Sequence, residues 1–128
     1  MRKSTLLLAS ALVAGLAVPA MADQAIANGQ VPFEFTVGST RLPAGHYEIL
    51  KAANDENMLM VRNVDTRKTA LVDYVTRLAQ RADGKGSLVF DDNGGEHVLS
   101  EIHLTNSDGY LLPAAGKKPH THEQVKTN

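Results

Sequence analysis

Apolar and polar positions alternate with a period of two in several short stretches, each closed by Gly, Asp, Asn or Pro. In residues 31–37, Val31, Phe33, Phe35 and Val37 alternate with Pro32, Glu34 and Thr36, the pattern of a half-buried strand. Pro32 stands near its start, where a missing N–H is tolerated. Gly38-Ser39-Thr40 then turns the chain, and Leu42-Pro43-Ala44-Gly45 reads as a β-turn with Pro fixing φ at its first central position. Residues 46–51, with Tyr47 and Ile49 on one face, residues 58–64 and residues 69–75 predict three more strands. Residues 76–82 either extend the last of these or form a helical turn. Residues 87–90 are a strand, and Asn93-Gly94 is the strongest short-range hairpin signal. It leads into the longest strand, 96–104, before a turn into Tyr110-Leu111-Leu112.

Six or seven short strands with turn residues between them predict an all-β fold, a small antiparallel sandwich or barrel. The pattern confines this β-domain to residues 31–113. Residues 23–30 (DQAIANGQ) are small and polar and predict a flexible lead-in. Residues 114–128, small, charged and proline-containing, predict a flexible tail.

The start of the chain has a different grammar. Met1-Arg2-Lys3 is basic, residues 6–18 are an unbroken run of apolar or small side chains, and Ala20-Met21-Ala22 is a small-x-small cleavage site. Together these predict a signal peptide removed after Ala22, and a mature protein in the periplasm or the extracellular medium. The apolar run is shorter than the roughly 20 residues of a spanning helix, so no membrane span is expected after cleavage. The absence of cysteine rules out disulfides, lipid attachment through a thiol, thiol catalysis and Cys-type metal sites. Loss of Arg2 and Lys3 with the leader takes the net charge from −1 to −3. Without a basic cluster, nucleic acid is not an expected partner.

Candidate chemistry is sparse. His97, Glu101 and His103 share parity along one strand, a conceivable zinc or copper set. However, His97 and His103 stand about 20 Å apart on an extended strand and cannot share an ion unless a bulge intervenes. His120 and His122, two residues apart in the tail and followed by Glu123, form the favoured candidate for Cu(II) or Zn(II). Residues 91–96 offer oxygen ligands without EF-hand spacing and read as a hairpin turn. Residues 83–87 lack the spacing of a phosphate-binding loop. Arg62, Asp73, Arg77 and Arg81 read as solvated strand-face charges and not as an anion site. Ser100 falls on an apolar-facing parity and reads as a small buried filler, and no Gly-x-Ser-x-Gly elbow is present. No catalytic residue and no cofactor is assigned, and the chain is not expected to be an enzyme.

The stretch Val31-Pro32-Phe33-Glu34-Phe35-Thr36-Val37-Gly38, followed by Leu42-Pro43-Ala44-Gly45-His46-Tyr47, resembles a V-P-F-x-F-x-V-G-x-x-x-L-P-A-G-x-Y pattern of small exported β-domain proteins of Acidobacteria. Leu99-Ser100-Glu101-Ile102 is similar to a later segment of the same family. The resemblance implies export and a β-domain, and it brings no activity, ligand or catalytic residue. The expected function is therefore a non-catalytic binding or structural role in the cell envelope. The partner would be another envelope protein or a second copy, reached through sheet edges or a strand donated by residues 23–30. Metal binding through the His-containing tail, or small-ligand carriage in a barrel, are the alternatives.

Overall fold

The computed structural model describes residues 24–113 and 121–128; the leader and His120 lie outside them. The described residues are all β, eleven strands in two sheets, and contain no helix long and apolar enough to cross a membrane. One sheet is antiparallel and made of β1 (Ala25–Val31), β4 (Gly45–Lys51), β5 (Met58–Asn63) and β6 (Thr69–Asp73), in the order β1-β4-β5-β6. The other contains β7 (Thr76–Leu78), β8 (Ser87–Asp92), β9 (His97–Leu104), β10 (Ser107–Leu111) and β11 (Thr121–Lys126), in the order β11-β8-β9-β10-β7. A short hairpin of β2 (Phe35–Val37) and β3 (Thr40–Leu42) joins it, with Thr36 paired in parallel to Val98. Neither sheet closes on itself, so the arrangement is a sandwich and the barrel alternative is set aside.

The alternating residues meet between the sheets. Tyr47, Ile49, Leu59, Val61 and Val72 come from one side, and Phe35, Leu88, Phe90, Leu99 and Ile102 from the other, nearly all with under 3% exposure. Burial of that apolar area is the main source of stability. Two turns are held by side chains. The Tyr47 hydroxyl donates to Pro43 O at 2.6 Å, clamping the β3–β4 turn. Asn63 Oδ1 accepts the N–H groups of Asp65 and Thr66, both at 2.9 Å, beside Arg67 at φ 68°. The Asn-Gly hairpin forms as predicted. Asn93 N donates to Glu96 O at 2.9 Å, and Gly94 and Gly95 hold φ of 71° and 100°, which side chains rarely adopt.

The structure corrects four expectations. Residues 31–37 are not one strand: Val31 ends β1 in one sheet and Phe35 begins β2 in the other, with the chain crossing at 32–34. The lead-in 23–30 is largely β1, paired to β4 and therefore not a free donor strand. Its small residues hid it; a Cβ on Gly29 would meet Lys126 O at 3.4 Å and Thr127 Cγ2 at 3.7 Å, ordinary packing distances against β11. The tail 114–128 contains β11, which fills the free edge of β8 from Thr121↔Asp92 to Lys126↔Ser87. Only Val125 and Thr127 of residues 121–128 are even partly buried, so backbone pairing rather than apolar burial holds this strand. Residues 76–82, open in the sequence between an extension of the preceding strand and a helical turn, instead contain the separate strand β7, paired to β10 in the second sheet.

The fourth correction concerns β9. Its register against β8 slips by one residue between Leu99↔Phe90 and Glu101↔Val89, leaving Ser100 as the extra residue of a β-bulge. The bulge reverses parity along the strand. His97 and Leu99 face the sandwich interior before it, Ile102 after it, and Glu101 and His103 face outward. Ser100 is buried with its hydroxyl donating to Val89 O at 3.1 Å, and its carbonyl accepts Leu112 N at 2.8 Å.

Candidate metal centre at the β8–β9–β11 rim

The last residue of β8 and the first of β9 are paired across the ladder, which puts Asp92 beside His97. β11 runs antiparallel along the other side of β8, opposite Phe90, and brings Glu123 to the same rim. His97 Nε2 lies 3.7 Å from Asp92 Oδ2 and 3.8 Å from Glu123 Oε2. One ligand atom from each residue falls within 4.8 Å of the other two. An ion held at about 2.0–2.2 Å from each oxygen or nitrogen spaces its ligands roughly 3.4 Å apart in tetrahedral geometry. Small side-chain rotations suffice to reach that spacing.

Two of the three groups are oriented by their surroundings. The Asp92 Oδ1 atom accepts Gly95 N–H at 2.8 Å, which leaves Oδ2 directed at His97. The His97 ring lies flat on Phe33, centroids 3.7 Å apart and planes 12° from parallel, while Phe33 packs edge-on against Phe90 at 5.0 Å. Fixing ring and carboxylate in this way is how outer residues tune metal ligands. The His97 side chain is 14% exposed, and Glu123 is 51% exposed, so the site opens to solvent on the β11 side. A groove of about 170 Å³ lined by Phe33, Phe35, Arg41 and Glu96 adjoins His97 on the other. Arg41 closes its far wall through Glu34 at 3.1 Å and Glu96 at 3.9 Å.

The arrangement can do two things. With both ring nitrogens protonated, His97 would be a cation between two carboxylates. With the lone pair free, the same atoms form one nitrogen and two oxygen ligands with positions open to water or a further ligand, a set that suits zinc, copper or manganese. Proton and metal compete for one site, so metal uptake releases a proton when the imidazole starts protonated.

The residues favoured from the sequence are placed elsewhere. His122 lies one residue from Glu123 and therefore faces the opposite side of the sheet, its Nε2 3.3 Å from Oδ1 of the buried Asp91. The His120 half of that pair is outside the described residues. His103 donates from Nε2 to Glu101 Oε1 at 2.7 Å on the outer face, so the His97–Glu101–His103 set is not brought together. Asp92 and Phe33 were missed as site residues: the first looks like ordinary turn chemistry and the second like core. Only the fold, by bending the 31–37 strand at Pro32, delivers Phe33 to His97.

No protein-family model, curated protein or solved structure matches this chain.

Proposed function

We propose that the chain is an exported, non-catalytic β-sandwich module of the cell envelope that holds one divalent transition-metal ion, zinc or copper, through Asp92, His97 and Glu123. The observation that carries this is the convergence of three ligand atoms from three separate strands within 4.8 Å. The ring stack of Phe33 and the Gly95 hydrogen bond support it by fixing two of the three groups. The basic start, apolar run and Ala-x-Ala-like site of residues 1–22, and the resemblance to exported acidobacterial β-domains, support the envelope location. This reading keeps metal binding from the alternatives the sequence raised and moves it from the tail histidines to the hairpin rim.

Calorimetric titration of the protein, beginning at Asp23, with zinc and then copper tests it. One ion per chain is expected. His97→Ala and Asp92→Asn should each weaken binding at least about tenfold, the size of effect seen when a ligand or its support is removed. His122→Gln should leave it unchanged. Loss of binding in His122→Gln with full binding in His97→Ala would return the site to the tail, and no uptake by the parent protein would end the metal reading.

A further inference from the structure

At the C-terminal end of β11, three cations gather around one groove. Arg81, Lys85 and Lys126 line a groove of about 250 Å³ together with Gly86, Ser87 and Thr127. Among the described residues, none of the three cations has a carboxylate within ion-pair distance. Arg81 Nη1 donates to Gln124 Oε1 at 3.2 Å, which anchors the guanidinium to β11 and leaves its other donors free. Asp83, the one acid among the described residues lining the groove, has Oδ1 engaged by Lys85 N–H at 2.9 Å.

A second, independent observation lies at the groove's base. Ser87 is 3% exposed, and its hydroxyl has no hydrogen-bond partner among the described residues. A buried hydroxyl without a partner forfeits its hydration and is uncommon without a reason. Around it, a Cβ added to Gly86 would collide with the Thr127 hydroxyl and stand 3.0 Å from that of Thr105. The absence of a side chain at position 86 therefore keeps two threonine hydroxyls close to the same spot. Ladder pairing sets Lys126 directly across from Ser87.

We infer that this groove binds a phosphate-type oxyanion, held by Arg81, Lys85 and Lys126 and by the hydroxyl of Ser87. Tetrahedral oxyanions are taken by converging cations and O–H or N–H donors, and the loop need not follow a phosphate-loop motif to supply them. The sequence hid the site because its three cations come from positions 81, 85 and 126, and only the return of β11 to the edge of β8 joins the third to the others. The same chemistry is offered by free phosphate and by the phosphodiester headgroups of a lipid surface.

The test follows backbone amide signals of Gly84, Lys85 and Gly86 by NMR while the protein is titrated with inorganic phosphate. A parallel arm measures co-sedimentation with phosphatidylcholine vesicles with and without phosphatidylglycerol. Saturable shifts confined to this groove, weakened at least about tenfold in the double variant Lys85→Gln, Lys126→Gln and again in Ser87→Ala, are the expected result. Sedimentation with phosphatidylglycerol vesicles that the double variant loses would identify the lipid phosphodiester as the source. Absence of binding in both arms, or binding unaffected by the double variant, overturns the inference. Zinc titration of the same variants should match the parent protein, so failure here is separable from failure of the metal site.

Discussion

Gly109 offers the sharpest test of how the second sheet is packed. It lies in β10 where the register against β9 is irregular, between Ser107↔Leu104 and Tyr110↔Ile102. A Cβ there would overlap the carbonyl oxygen of Ile102 and stand 3.1 Å from His103 Cα and 3.2 Å from Ile102 C. All three atoms belong to the backbone of β9, so no rotamer change can relieve Gly109→Ala and the strands must part. Overpacking of this kind costs about 1–3 kcal/mol. Separation also strains the bond from Arg77 Nε to Gly109 O at 2.9 Å, and the seating of Arg77 over the Tyr110 ring at 4.2 Å. These add about 1–2 kcal/mol. The expected loss is then about 2–5 kcal/mol, a large fraction of the roughly 5–15 kcal/mol that holds a domain folded. With a urea slope of about 1–3 kcal/mol/M for a small protein, the midpoint should fall by about 2 M. Gly94→Ala is the control. Its Cβ would meet nothing within 4 Å, and only its φ of 71° is unfavourable, worth about 1–2 kcal/mol. If Gly109→Ala costs no more than Gly94→Ala in urea unfolding, the account of backbone contact between β9 and β10 is wrong.

Tyr47→Phe should cost only about 0.5–1.5 kcal/mol, because Pro43 is exposed and its carbonyl can turn to water, whereas Tyr47→Ala should cost about 3–5 kcal/mol; equal losses in chemical denaturation would refute the separation of hydroxyl from ring. Asn63→Ala removes the acceptor of two turn N–H groups and should lower stability by about 1–3 kcal/mol, read as a shifted thermal midpoint. Phe33→Ala should weaken zinc binding about tenfold or more by freeing the His97 ring, while circular dichroism shows an unchanged β fold; unaltered zinc affinity would show that the stack does not orient the ligand.

The strands that bury a strong apolar face were legible in the sequence. Tyr47 and Ile49 of β4, and Leu59 and Val61 of β5, alternate as a half-buried strand must, and the Asn-Gly turn announced the β8–β9 hairpin. The strands without such a face were not legible. β1 carries small residues such as Ala27 and Gly29 in place of a strong apolar stripe, and β11 is held by ladder hydrogen bonds that leave little mark on hydropathy. The site was hidden for a related reason. Period-two parity groups His97 with Glu101 and His103, a grouping that Ser100 interrupts, and in sequence Glu123 stands only beside the tail histidines. A period-two pattern reports faces within one strand, whereas this site depends on which strands are neighbours.

The Ser100 bulge acts on β9 as a frameshift acts on a message. In a regular strand of this sequence, Leu99 and Ile102 could not both point into the core, since three positions of separation put side chains on opposite faces. Removing that residue would bring the two halves into one continuous frame with His97, Leu99 and Ile102 still inward, so a chain one residue shorter here remains compatible with the same sandwich. Removing Glu101 would also close the frame, but it would delete an outward side chain, whereas removing Val98 or His103 would leave Leu99 and Ile102 three positions apart. Length variation in this strand is therefore tolerable at one address, and the two surfaces of β9 are free to change their chemistry independently on either side of it.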